Sequence, residues 1–172
     1  MTNVSQSRSV SHAGFWAIII TVATLDLWSK AAIVAWLAPA RRPIEVTPFF
    51  NLRLGYNPGI SFGLFPAEGE VARAILVGFT LLMALVISWL GLRSQSGTER
   101  AGFALIAGGA LGNVIDRGSD GLVTDFLDLH VFGWHWPTFN LADVAITCGV
   151  VMLLFASFLV SRFENSLQDP KP

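Results

Sequence analysis

A chain of 172 residues that is 53% hydrophobic and only 13% charged holds roughly half the charge of a soluble domain, which averages about 25%. Its 13 Phe and 6 Trp exclude disorder, and a formal net charge of −1 argues against an electrostatic nucleic-acid binder. The single Cys148 excludes an internal disulfide framework and a multi-cysteine metal site, which leaves a small integral membrane protein, read as one domain over residues 1–172.

In chain order, residues 15–38 form the first apolar stretch long enough to cross a bilayer, interrupted by Asp26 and Lys30. These two lie four apart, on one helical face. A self-neutralising pair that positions the helix near its outer end is the simpler reading; direct chemistry is the alternative. Arg8 before the apolar run, with Ala38-Pro39-Ala40 after it, imitates a cleavable signal peptide. The intervening charges and Pro39 favour an uncleaved span.

Residues 39–70 form a long loop in which IEVTPFFNLRLGY predicts short strands broken at Pro48 and Pro58. Residues 71–92 predict a second span, with Arg73 near enough to its end to snorkel. A short polar loop, residues 93–100, follows. Residues 101–115 make a shorter third span, packed through Gly108, Gly109, Ala110 and Gly112. At its end Asn113, Asp116 and Arg117 share a face, with a structural polar network as the simpler role.

Residues 116–140 form the second long loop, and residues 141–160 the fourth span. Within that loop GLVTDFLDLH reads as a short amphipathic segment bearing Asp125, while FNLADVAI carries Asp143 into the last span, one helical turn after Asn140. The chain leaves and re-enters the membrane around this loop, so both carboxylates reach one interface. Two acids sharing a proton supply a general base and a general acid. Two solvated interfacial acids are the alternative, and the residues alone leave both open. His130 and His135 lack metal-ligand spacing, no nucleophile elbow or phosphate loop occurs, and Cys148 reads as inert packing deep in the fourth span. Basic residues are nearly balanced between the two sides. The compact Arg93–Arg100 loop favours cytoplasmic termini, with both long loops outside.

Together DLWSK, NPGISFG, GGALGNVIDR, GLVTDFLD and FNLADVAI, in that order, resemble the lipoprotein signal peptidases (signal peptidase II), bacterial inner-membrane aspartic peptidases. The resemblance implies an all-α membrane fold of four transmembrane helices with a small periplasmic β-cradle and a short interfacial helix. It implies Asp125 and Asp143 as the catalytic dyad. Asp26, Lys30, Asn57, Gly59, Asn113, Asp116, Arg117, Asn140 and Ala142 match positions supporting the dyad or the substrate. Ile60 and Thr124 depart from the family's usual residues and bear on substrate fit. The implied reaction removes the signal peptide from a prolipoprotein, N-terminal to its diacylglyceryl cysteine, near the periplasmic face and without metal or organic cofactor. Partners are then prolipoprotein substrates and membrane lipid, with no nucleic acid, for a chain expected to act as a monomer. The NPGISFG segment is expected to gate the site. A small transporter or channel subunit is the alternative, but it predicts charges near the bilayer centre, whereas most here lie towards one interface.

Overall fold

A computed structural model describes residues 10–40, 42–59 and 69–168. Helices α1 (His12–Ala40), α2 (Glu70–Arg93), α3 (Gly97–Asp120) and α4 (Leu141–Gln168) accompany strands β1 (Ile44–Thr47), β2 (Phe50–Asn57), β3 (Val123–Val131) and β4 (Trp134–His135). Among the described residues three helices, α1, α2 and α4, are long and apolar enough to cross a membrane. Their burial is the inverse of a soluble bundle's. In α1 the buried residues Phe15, Ile19, Ala23, Asp26, Lys30 and Leu37 form one stripe, while Trp16, Ile20, Leu25, Trp28 and Trp36 point outwards. Large apolar residues facing away from the protein on helices of this length suit lipid, not water.

The third helix is the hub, packed against α1, α2 and α4. Glycine permits it. A Cβ at Gly108 would lie 2.9 Å from the Val22 side chain, and one at Gly112 2.7 Å from Asp26 Oδ2. A Cβ at Gly109 would collide with the Ala142 carbonyl, and Gly102 and Gly149 meet backbone to backbone lower down. The small-residue packing expected of this helix is present. Its boundaries differ from 101–115: Ser96 caps the start by accepting from Glu99 N at 3.3 Å, and Gly121, at φ 88°, ends it. The helix runs past its apolar residues because Asn113, Asp116 and Arg117 find partners on other elements. The polar turn before it is correspondingly shorter than expected, residues 94–96.

The strands form one antiparallel sheet in the order β1-β2-β3-β4. β1 stops before Pro48 and β2 before Pro58, as the sequence predicts. Segment 123–131, read as a short amphipathic segment, is strand β3, and among the described residues no short interfacial helix accompanies the sheet. β3 pairs Asn51 with Asp128 and Gly55 with Asp125. Its other edge is tied to the chain entering α4: Phe139 O accepts from Phe126 N at 2.9 Å and Leu127 N at 2.8 Å. This tether fixes the position of Asp125 relative to Asn140.

Candidate active site

At the sheet end of the bundle, the first turn of α4 needs partners for its free N–H groups. Asn140 and Asp143 supply them reciprocally. Asp143 N donates to Asn140 Oδ1 at 3.0 Å, and Asn140 N donates to Asp143 Oδ2 at 3.2 Å. This is a capping box with Asp in the place of Glu. Ala142 N donates to Asp26 Oδ1 at 2.9 Å, so a carboxylate of α1 caps α4 from across the bundle. The role of Ala142 is thus carried by its backbone.

The fully buried Asn140 also reaches the other acid, donating through Nδ2 to Asp125 Oδ1 at 2.7 Å. Asn113 Nδ2 donates to Asp143 Oδ1 at 3.1 Å, and Asn113 Oδ1 accepts from Lys30 Nζ at 2.8 Å. Lys30 Nζ further pairs with Asp26 Oδ2 at 2.7 Å and Asp116 Oδ2 at 3.2 Å. The Asp26–Lys30 pair therefore does more than neutralise itself. It is buried, α1 continues beyond it to Ala40, and it joins α1 to α3 and α4. Asp116 Oδ2 accepts from Thr124 N at 2.8 Å, just before Asp125. Thr124 thus serves through its backbone, whatever its side chain. Arg117 donates to Gly59 O, and Gly59 N donates to Asn57 Oδ1 at 2.9 Å. Ile60 and the rest of the NPGISFG segment fall within residues 60–68, which lie outside the described residues.

Asp125 and Asp143 face one cavity of about 100 Å³, lined also by Asn57, Asn113 and Arg117 and floored by Thr80, Ala110 and Ile146. One water needs only ~10–15 Å³ of such volume, so there is room for water and a peptide carbonyl together. Burial, and then the charge of Asp143, push the Asp125 carboxyl up to about 7, against hydrogen bonds from Asn140 and Asn57. Of the residues the sequence singled out, Asp125, Asp143, Asn57, Asn113 and Arg117 line the cavity, and Asp26, Lys30, Gly59, Asp116, Asn140 and Ala142 are tied to them by the contacts above. Thr80, Ala110, Val123 and Ile146 also line it and were not foreseen, since nothing in the sequence shows that these positions face the site.

Two other residues lie outside this network. Asp128 is fully buried in a separate cluster, 2.8 Å from His135 Nδ1 and accepting from Asn51 Nδ2 at 3.3 Å. Cys148 is exposed on the outer flank of α4 and is not buried packing.

Membrane-length helices thus surround a cavity faced by two carboxylates. Residues 18–159 match the family described as Signal peptidase (SPase) II. The lipoprotein signal peptidase of Francisella tularensis subsp. novicida is 40% identical over 152 residues, covering 86% of this chain and 93% of that one. Its counterpart in Burkholderia thailandensis is 43% identical over 155 residues, covering 88% and 92%. A bacterial membrane enzyme solved by the in meso method at 1.9 Å superposes with a TM-score of 0.70 at 26% identity, covering 86% of this chain and 94% of its own. A second, solved at 2.3 Å, shares the fold with a TM-score of 0.68 at 24% identity, covering 91% and 93%. The chain belongs to the signal peptidase II family.

Proposed function

We propose that Asp125 and Asp143 are the catalytic dyad through which this peptidase removes signal peptides from prolipoproteins. The observation that carries the assignment is Asn140, which hydrogen-bonds both carboxylates where they face one cavity. Asp125, held protonated to about pH 7, is the acid. Asp143, accepting from Asn113 Nδ2 and Asn140 N, is the base. Asp143 takes a proton from water as the water oxygen attacks the scissile carbonyl carbon, while Asp125 gives its proton to the carbonyl oxygen. On collapse of the diol, Asp143 returns its proton to the leaving nitrogen and Asp125 recovers one from the diol hydroxyl. The carbon–nitrogen bond breaks, giving a signal-peptide carboxyl group and a free amine on the lipidated cysteine. Arg117 lines the same cavity, which supports a role in holding substrate carbonyl oxygens. Asp125 also borders a cleft with Gly55, Tyr56, Pro58, Pro137 and Thr138, which suits the mature side of the substrate.

In the same reading α3 is a fourth span. Its 24 residues reach about 36 Å at ~1.5 Å each, enough for the ~30 Å hydrocarbon core. Both termini and residues 94–96 then lie in the cytoplasm of a bacterial inner membrane, with the dyad near the periplasmic face. The test is mass spectrometry of products from a diacylglyceryl-modified prolipoprotein treated with purified enzyme in excess chelator. The expected products are the intact signal peptide and a protein beginning at the lipidated cysteine. Cleavage at another bond, or only after metal is restored, would contradict the reading.

A further inference from the structure

Asp143 stands at a divide on α4. With about 100° between successive residues, Ile146 lies to one side of it, facing the polar cavity. Thr147, Val144 and Cys148 lie to the other. On that second side a groove of about 370 Å³ begins at Asp143 and is walled by Leu129, Trp136 and Phe139. Thr147 turns its hydroxyl to the Asp143 carbonyl at 2.8 Å. The groove is therefore apolar, open on its outer side, and begins at a candidate catalytic carboxylate on a helix whose flank carries exposed apolar residues.

We propose that this groove seats one acyl chain of the substrate's diacylglyceryl group; the proposal rests on the dyad assignment above. A substrate brings three things to the dyad: an extended peptide, an apolar signal helix and lipid chains. An extended peptide needs partners for its N–H and C=O groups, and these apolar walls supply few. A helix about 10–12 Å across fills this volume with less than one turn. An acyl chain is slender and asks for no hydrogen bonds. Connectivity agrees, because the glyceryl group starts at the cysteine sulfur, three bonds from the scissile nitrogen. With the scissile bond in the polar cavity, the lipid starts within a few bonds of the dyad, and Asp143 borders the groove.

The test uses two prolipoprotein peptides, identical except for palmitoyl or butyryl chains, with the full-length enzyme in matched micelles. Cys148→Trp places an indole in the groove at an exposed position, and Cys148→Ala is the control. The expected result for Cys148→Trp is a KM for the palmitoyl substrate raised about tenfold, the worth of roughly two buried methylenes. KM for the butyryl substrate and both kcat values stay within about twofold. As a binding readout, palmitoyl substrate held by non-cleaving Asp125→Asn enzyme should slow alkylation of Cys148 by N-phenylmaleimide, and butyryl substrate should not. Equal KM changes for the two substrates, or alkylation indifferent to both, would overturn the groove assignment while wild-type cleavage leaves the dyad standing. Failure of the wild type to cleave either substrate would overturn the dyad and the groove with it.

Discussion

Asn140 accepts from one backbone amide and donates to a carboxylate on another element, and Lys30 joins two acids and an amide at once. Buried polar groups of this kind hold a single geometry because each alternative leaves one of them unpaired. Asp125 is the member whose protonation changes near neutral pH. Its carboxyl is raised to about 7, so the proton that serves as general acid is lost as pH rises through that value. We predict that kcat falls on the alkaline side with a midpoint near 7. The Asn57 hydrogen bond lowers the Asp125 value, so Asn57→Ala should move that limb to higher pH in a pH–rate profile. A limb that moves down, or stays in place, would contradict the assignment of Asp125 as the acid. The polar residues themselves were legible in the sequence, because charges and amides in apolar spans stand out. Their partners were not. The contacts from Ala142 N and Thr124 N are made by backbone, which leaves no trace in side-chain chemistry.

The elements hold these groups in register through close backbone approach. At Gly109 a methyl group would meet the Ala142 carbonyl and come within 2.8 Å of Ile146 Cγ1, pushing the first turn of α4, and Asp143 with it, away from Asn113. Gly109→Ala should destabilise the protein by about 1–3 kcal/mol and lower kcat by roughly tenfold or more, since small displacements of reacting groups are expensive. Gly78→Ala, where nothing lies within 4 Å, is the matched control and should leave kcat unchanged. Thermal unfolding and turnover of the two variants would decide it, and equal behaviour would sink the close-packing argument. The small residues of α3 announced this packing in the sequence. The helix end did not, because Asp116 and Arg117 lie past the last apolar residue, and nothing in the sequence shows the partners on α1 and the sheet that let the helix continue to Asp120. β3 was obscured for a related reason: Phe126 and Asp128 are both buried, so hydrophobic alternation gives way to a polar cluster with Asn51 and His135.

Across the whole molecule the two ends differ in chemistry. Arg100 donates to Val10 O and Ser94 O, tying the N-terminal segment to the turn between α2 and α3 at one end. Both candidate catalytic acids lie at the other. The outer surface between them carries the apolar side chains of α1, α2 and α4. Three of the four spans read from hydropathy recur as long apolar helices among the described residues, whereas orientation was not legible, because the basic residues are nearly balanced. Replacing Cys148 with Ala and adding single cysteines at the exposed positions Ser119 and Gln95 tests it. An impermeant thiol reagent added to intact spheroplasts should label Ser119→Cys and spare Gln95→Cys. The reverse pattern would invert the proposed topology.

The most direct measurement of the central claim is single-turnover cleavage of a lipid-modified prolipoprotein by Asp125→Asn, Asp143→Asn and Asp128→Asn enzymes, each first shown to be folded. Asp128 is the discriminating control, an aspartate of the same strand, equally buried, with its bonds to His135 and Asn51 outside the cavity. The account predicts no cleavage by either dyad variant and, from Asp128→Asn, turnover close to wild type with reduced thermal stability. Cleavage by Asp125→Asn or Asp143→Asn at a wild-type rate, or loss of cleavage in folded Asp128→Asn alone, would contradict it.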